Sequence, residues 1–244
     1  MTVSLACLAD CRSLAELTPP ARLALGETAR LVAFRPEERL IPWGEPPQRL
    51  LILVQGLAKL VGVTVNGHER ILNIYRANDM VGPDVLMHCS ENQHDVMAMS
   101  HIQALAISRR DLFILCRSHP SLLMALNLEV SRQLAAMTMR VMTVASQEVP
   151  VRLSQLLLEF ADGNGSCRDA FVPLAYRLTH ETMAQMVGAS RPHTSTVLRD
   201  LESHGAVQRR TSSGLMVRPL RLRQIVENGC FSTPAPTGPL ALSA

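Results

Sequence analysis

A run of hydroxyl, imidazole and guanidinium side chains stands on two consecutive turns of a predicted helix near the C-terminus. The polar set is Ser190, Arg191, His193, Ser195, Thr196 and Arg199. The residues that fall on the buried face are Thr194, Val197, Leu198 and Leu201. Guanidinium groups pair with guanine and with phosphate oxygens, and short polar side chains can reach base edges. The pattern therefore predicts a helix whose outer face enters the major groove of DNA.

A shorter helix precedes it and must hold it in place. Thr179 has the side chain of a helix N-cap, and apolar residues recur at helical spacing within 183–187. Gly188 stands at the helix end, where left-handed backbone is needed. Ser190 then caps the second helix, with Pro192 in its first turn. A two-helix packing element with no DNA role could have the same spacing, so this alternative stays open on spacing alone.

A predicted hairpin follows the two helices. Apolar runs at 207–210 and 215–217 flank the turn sequence 211–214, Thr-Ser-Ser-Gly. Helix, helix and hairpin together make a winged helix-turn-helix. Arg209 and Arg210 stand where a wing could contact phosphate. The caps, the polar outer face and the wing together favour DNA binding over the packing element.

The run 187–198, VGASRPHTSTVL, resembles the recognition region of the CRP/FNR family of bacterial regulators, whose pattern is roughly hG-x-S-R-x-T-h-x-R-x-L. The resemblance implies a transcription regulator that binds double-stranded DNA as a homodimer, with RNA polymerase as a further partner. Arg191 matches the family's arginine at the start of the helix. Pro192 replaces a glutamate and Thr196 an arginine that read bases in many relatives, which implies a different target sequence.

The N-terminal part has the texture of a β-domain. Short apolar runs alternate with turn residues, which is typical of a small barrel or sandwich. The runs are 31–34, 39–41, 50–54, 58–65, 70–75, 96–99 and 104–107. Asn66-Gly67 predicts a two-residue hairpin turn, since both residues tolerate positive φ. The layout, with Gly44 and Gly56, resembles the double-stranded, jelly-roll-like β-roll of cyclic-nucleotide-binding domains.

A long helix is predicted from Pro120 to about residue 147, without an internal glycine or proline. Its apolar positions are spaced close to a heptad repeat. They are Leu123, Leu126, Val130, Leu134, Met137, Val141 and Val144. Part of this helix can pack on its own β-domain. A seam between two identical subunits explains the rest better, and in the family this helix is the dimer axis.

These elements predict an α+β fold in four segments. They are a β-roll sensor domain (1–118), a dimerisation helix (119–148), a winged helix-turn-helix domain (149–227) and a disordered tail (228–244) rich in Ser, Thr, Pro, Gly and Ala. A net charge of +3 does not by itself indicate a nucleic-acid partner. No apolar run approaches the roughly 20 residues of a membrane span, and the N-terminus lacks the basic region and hydrophobic core expected of a signal peptide. We therefore expect a cytoplasmic protein without a membrane partner.

The β-roll contains a candidate effector pocket. Its residues are Gly82, Pro83, Asp84, Asn92 and Gln93. Nucleotide-binding relatives have G-D-x-x-G-E-L-G here, followed about ten residues later by an arginine that binds the cyclic phosphate. In this chain Pro83 replaces the glutamate, and Asn92 or Gln93 falls near the arginine position. A buried phosphate without its cation is poorly compensated. The sequence therefore predicts a regulator that lacks the usual cAMP contacts.

Neither catalysis nor a resident cofactor is predicted. No nucleophile–histidine–carboxylate set and no glycine-rich phosphate loop indicates an enzyme. The alternatives that stay open are a heme, metal or thiol sensor of the same fold and a ligand-binding module that acts by protein contact. The candidate ligands are His88, Cys89, His94 and His101 for heme or a metal, and Cys7, Cys11, Cys89 and Cys116 for an iron–sulfur cluster. Neither spacing matches a compact metal site.

Overall fold

The computed structural model describes residue 11 and residues 14–86, 91–161, 170–210 and 214–229. The side chain of Arg210 is outside this description. So are His88, Cys7, Cys89, Cys167 and Cys230, and the part of the predicted tail beyond residue 229. The chain divides into two compact units, Met1–Arg140 and Val141–Ala244. The long helix that we predicted as a separate segment is shared between these units.

The described part of the first unit contains two antiparallel sheets of four strands each. In spatial order, the first sheet is β1 (Arg30–Phe34), β8 (Ile102–Ser108), β3 (Arg49–Gln55) and β6 (Met80–Val81). The second sheet is β2 (Arg39–Ile41), β7 (Asp95–Ala98), β4 (Ala58–Val63) and β5 (Glu69–Tyr75). The seven predicted strands are confirmed to within two residues at either end. β6 was not predicted, because two residues are too few to show an alternating pattern.

β3 separates two apolar clusters and is buried on both faces. Leu50 and Ile52 belong to a cluster shared with the helices. Leu51 and Leu53 belong to the cluster between the sheets. Neighbouring residues of a strand point to opposite faces, so burial of both faces requires the continuous run Leu-Leu-Ile-Leu. The sequence signal and the packing agree here.

The turn between β4 and β5 differs from the predicted two-residue turn. Gly67 has φ 77°, whereas Asn66 is not among the residues with positive φ. The Gly67 amide donates to the Thr64 carbonyl (2.8 Å), and the Thr64 amide donates to the His68 carbonyl (2.9 Å). The loop therefore has three residues, and a single left-handed glycine closes it. The prediction of a two-residue turn is wrong, and the longer turn needs positive φ at one residue only.

Gly56 is one of the two glycines whose positions resemble turns of the β-roll. The neighbouring backbone leaves no room for a larger residue there. Its φ is 97°, and an added Cβ would lie 2.3 Å from the His101 carbonyl oxygen. Any larger side chain would displace the backbone at the start of β8. The close approach confirms a structural reason for glycine at this turn.

Two α-helices of the described residues lie in the first unit, α1 (Pro19–Thr28) and α2 (Arg109–Ser118), and α3 (Pro120–Ser146) begins there and ends in the second unit. The start of α3 packs on its own β-domain, where Leu122, Ala125 and Leu126 are buried. Leu126 is only 3% exposed, so its assignment to a seam between subunits is wrong. The periodicity did not distinguish the two roles, because apolar residues recur every three or four positions both on a core face and in a dimer seam. In the described residues, no helix is long and apolar enough to cross a bilayer.

The second unit contains the predicted helix–helix–hairpin arrangement. Its elements are α4 (Val149–Phe160), β9 (Val172–Pro173), α5 (His180–Val187), α6 (Arg191–Ser203), β10 (Val207–Arg210), β11 (Gly214–Val217) and α7 (Pro219–Asn228). β10, β11 and β9 form an antiparallel sheet in that order. β9 and α7 were not predicted. Pro219 in the first turn of α7, followed by buried Leu222 and Ile225, is the signal that could have identified this helix.

Candidate nucleic-acid interface and effector cavity

α5 has the predicted boundaries. The Thr179 hydroxyl accepts a hydrogen bond from the Thr182 amide (3.0 Å), and so caps the helix start. Gly188 ends the helix in the left-handed conformation, with φ 69°. Met183, Ala184, Met186 and Val187 are buried. The caps and the apolar face are thus confirmed, and they fix the position from which α6 begins.

α6 has one buried face and one polar face, as predicted. The Ser190 hydroxyl accepts from the His193 amide (3.3 Å), and Pro192 lies in the first turn. Thr194, Val197, Leu198 and Leu201 are buried. The residues exposed on the helix are Arg191, Pro192, His193, Thr196 and Arg199, whereas Ser195 is half-buried. The helix therefore presents its basic side chains to solvent.

The two arginines of this face have free donors. Among the described residues, neither Arg191 nor Arg199 forms an ion pair or a side-chain hydrogen bond. The Thr196 hydroxyl instead donates to the Pro192 carbonyl one turn earlier (3.2 Å). Pro192 has no side-chain acceptor in place of the family's glutamate. The principal donors available to a base or phosphate on this helix are thus the two guanidinium groups.

His180, which sequence reasoning missed, joins the two helices. Its Nδ1 shares a 2.8 Å hydrogen bond with the Ser195 hydroxyl. Partial burial lowers the pKa of His180, and the positive charges of Arg209 and Arg191 lower it further. No sequence periodicity connects residues 180 and 195, so only the fold could reveal the pair. Ser195, predicted as a DNA contact, is held by this imidazole and contributes to the position of α6.

The hairpin forms the predicted wing, and of its two arginines the structure describes the side chain of Arg209. β10 and β11 pair with Val207 opposite Val217 and Arg210 opposite Gly214. Arg209 Nε lies 3.4 Å from Glu202 Oε2, near the end of α6, and its guanidinium is therefore ion-paired. The side chain is about half exposed. Arg209 remains on the wing surface, with part of its charge neutralised.

The five predicted effector residues line one cavity of about 540 Å³ in the first unit. Gly82, with φ 72°, leads into a short 3₁₀ helix, Pro83–Leu86. Pro83 has no backbone N–H, so this helix start lacks one donor that could bind phosphate. The cavity walls are mainly aliphatic, and its size is that of a small-molecule site. The structure therefore brings the predicted pocket residues together.

The described lining of the cavity contains no guanidinium or ammonium group for a phosphate. None of the described lining residues is Arg or Lys. Asn92 Nδ2 donates to the Pro42 carbonyl (3.0 Å), and Gln93 Nε2 donates to the Glu91 carbonyl (3.3 Å). The two side chains nearest the family's arginine position are thus engaged with the backbone. Each amide keeps a second N–H, but neither side chain supplies a counter-charge to an anionic ligand.

The described candidate metal ligands do not converge. His94 lines the effector cavity, whereas His101 lines a different depression beside Phe34. Cys11 and Cys116 are buried in an apolar cluster. Burial raises the pKa of Cys116 to about 11, which disfavours the thiolate that a cluster requires. Within the described ranges no group of three or more His, Cys, Asp or Glu is arranged to hold a metal ion.

Two family models match the chain, one in each unit. Residues 31–119 match the cyclic nucleotide-binding domain, and residues 151–225 match the Crp-like helix-turn-helix domain. The first match contains the cavity. The second contains α5, α6 and the wing.

Similar proteins match most of the length of the chain. The chain is 26% identical over 204 residues to a CRP-like cAMP-activated global transcriptional regulator of Mycobacterium tuberculosis, covering 84% of this chain and 91% of the relative. It is 25% identical over 179 residues to the cyclic AMP receptor protein of Thermus thermophilus, covering 70% and 80%. The structure of the c-di-GMP responsive global regulator CLP of Xanthomonas campestris superposes with a TM-score of 0.69 at 17% identity, covering 82% and 99%, and supports the fold alone. The chain belongs to the CRP/FNR family of DNA-binding transcriptional regulators.

Proposed function

We propose that the protein is a homodimeric regulator that reads an inverted-repeat DNA site through helix 190–204 without the usual cAMP contacts. The observation that carries this proposal is the outer face of α6, where Arg191 and Arg199 are exposed and unpaired among the described residues. Phosphate contacts would position the helix, and base contacts would give specificity. RNA polymerase is the further partner that transcription regulation implies.

The exposed apolar side chains of α3 support the dimer. Leu123, Leu134, Val141 and Val144 are 52%, 67%, 68% and 49% exposed, and Met124 and Met142 are also exposed. So many apolar groups along one helix are costly in water unless a partner covers them. Val130 and Met137 line the effector cavity as well as the predicted seam. A ligand in the cavity could therefore alter the dimer contact directly.

Two positions support a target sequence unlike that of many relatives. Proline at 192 cannot accept a hydrogen bond from cytosine through its side chain. The Thr196 hydroxyl is shorter than an arginine and already bonds within its own helix. Direct readout then depends on Arg191 and Arg199, with His193 as a third polar contact.

Selection of bound fragments from random DNA tests this function. The full-length protein should enrich an inverted repeat whose half-sites lie about one helical turn apart. The Arg191→Ala variant should lose about 1–3 kcal/mol of specific binding. Arg110→Ala, an exposed arginine in the other unit, is the matched control and should behave as the unmodified protein. Equal affinity and equal sequence preference in the Arg191 variant would contradict the assignment.

A further inference from the structure

A half-buried imidazole connects the two helices of the helix-turn-helix. His180 is the first residue of α5, and its Nδ1 lies 2.8 Å from the hydroxyl of Ser195, in the second turn of α6. Ser195 is half-buried between the core of the unit and the exposed side chains of α6. A change in the charge of the imidazole therefore acts directly on a side chain of the helix that we propose reads DNA.

Cations from two other elements act on this imidazole. Burial lowers the pKa of His180, and the positive charges of Arg209 in the wing and Arg191 at the start of α6 lower it further. Both arginines have exposed side chains. A proton on His180 is disfavoured in the free protein, because it adds a third positive charge beside two others.

The other charged groups around α5 do not remove this repulsion. Glu202 of α6 is ion-paired with Arg209, and Glu181, next to His180 in the chain, is exposed to solvent. On α4, Arg152 lies at the opposite end of α5, near Gly188. The charges that shift the pKa of His180 are thus the two cations that the proposed function places against DNA.

DNA would reverse the repulsion. Phosphates in contact with Arg191 and Arg209 compensate their positive charges and attract a further cation. A proton on His180 is then less disfavoured in the complex than in the free protein. By linkage, a proton that binds more tightly to the complex also makes DNA bind more tightly.

Protonation also changes what the Ser195 hydroxyl can offer. A neutral imidazole can accept the hydroxyl proton at Nδ1, whereas a protonated imidazole can only donate. The Ser195 oxygen must then accept from His180, and its own proton becomes available to a phosphate oxygen or to an acceptor on a base edge. The added charge and the reoriented hydroxyl both favour DNA binding.

We propose that His180 is a positioning residue for DNA recognition, and that its protonation makes the protein bind DNA more tightly as the pH falls. It acts through the Ser195 hydroxyl and through a positive charge beside Arg191 and Arg209. The inference rests on the proposed function, since it requires that α6 and the wing contact DNA. A rise of half a pKa unit on DNA binding corresponds to a roughly threefold gain in affinity for each subunit, and to about tenfold for a dimer.

Fluorescence anisotropy at pH 8, 7 and 6 and constant ionic strength tests the proposal. The probe is a labelled inverted-repeat duplex selected from random DNA with the full-length protein. The affinity of the unmodified protein should rise about three- to tenfold from pH 8 to pH 6. His180→Gln keeps a hydrogen-bonding side chain without a titratable group and should lose the rise. His180→Arg carries a fixed positive charge, so its profile should also be flat, at a higher affinity than that of His180→Gln.

Two further histidines show where the pH dependence originates. His193→Gln removes the exposed histidine of α6, and its affinity should still increase as the pH falls. His68→Gln, at an exposed histidine of the other unit, is the matched control and should behave as the unmodified protein. The inference is overturned if the unmodified protein binds equally at all three pH values, or if the rise persists in His180→Gln. Either result leaves the proposed function intact, whereas no sequence-specific binding at any pH would overturn both.

Discussion

The outer face of α6 and the described lining of the effector cavity differ in their charged side chains. On α6, Arg191 and Arg199 expose donors that the described residues leave unpaired. In the cavity, the amide nitrogens are engaged with the backbone, and the charged lining groups Asp84 and Glu91 are carboxylates. Both surfaces belong to folds that bind phosphate-bearing molecules in relatives of the family. The proposed function rests on this difference, with DNA phosphate bound by the helix and no phosphorylated effector bound in the cavity.

The largest expected effect is on the stability of the protein, and it distinguishes the buried face of α6 from its exposed face. Leu198 is fully buried, so Leu198→Ala should destabilise the second unit by about 2–5 kcal/mol through the lost contacts and the cavity left behind. Arg191→Ala should reduce DNA binding with little change in stability. Thermal unfolding followed by circular dichroism, alongside DNA titration, distinguishes the two. If Leu198→Ala unfolds at the same temperature as the unmodified protein, Leu198 does not lie on the buried face of α6.

The next effect concerns the exposed stripe of α3. Leu134→Glu places a charge within the proposed seam and should convert the dimer to a monomer at micromolar concentration, because burying an unpaired carboxylate is costly. Native mass spectrometry measures the change. Leu23→Glu, at an exposed leucine of α1, is the control and should remain dimeric. An unchanged mass for the Leu134 variant would exclude this part of α3 from the interface.

A smaller effect follows from the His180–Ser195 link. The folded state lowers the pKa of His180 from its usual 6.5, so the unfolded chain binds more protons in the window just below pH 6.5. The contribution of neutral His180 to the free energy of unfolding is fully present above that pH. It is lost as the pH falls through the pKa that His180 has in the folded state. Unfolding midpoints measured from pH 7.5 to 5 should therefore fall more steeply for the unmodified protein than for His180→Gln. Parallel curves would show that His180 does not titrate in this way.

The smallest effect concerns the wing. Glu202→Gln removes the ion-pair partner of Arg209 and should free its guanidinium for phosphate. Since the pair is partly exposed, the gain in DNA affinity should be below about 1 kcal/mol. The slope of log affinity against log salt should also become steeper. Weaker DNA binding in this variant would mean that Glu202 positions Arg209 for contact.

Sequence reasoning predicted the elements that have strong periodicity or clear caps. Thr179, Gly188 and Ser190 define their helix boundaries locally, and the strands of the β-roll alternate with recognisable turns. The five candidate effector residues do line one cavity, because the family pattern aligns residues 82–84 with a known loop, whereas their effector role is still a prediction. The exposed polar face of α6 was predicted from the sequence, whereas its contact with DNA is still a prediction.

The errors and omissions have physical causes. Leu126 was placed in a seam because its spacing is the same for a core face and an interface. The His180–Ser195 bond depends on how two helices pack, and neither residue signals the other in the sequence. The pairing of Arg209 with Glu202 likewise arises from tertiary structure. The sequence alone did not show which side chains are already hydrogen-bonded or ion-paired within the protein. These bonds decide what a site can bind.

The central claim is that DNA binding does not require a cyclic nucleotide. Fluorescence anisotropy of a labelled inverted-repeat duplex, selected as described above, measures the affinity of the full-length protein with and without millimolar cAMP. We predict the same affinity in both conditions, because the described cavity lining contains no arginine or lysine for the phosphate. Specific binding that appears only with cAMP would contradict the account.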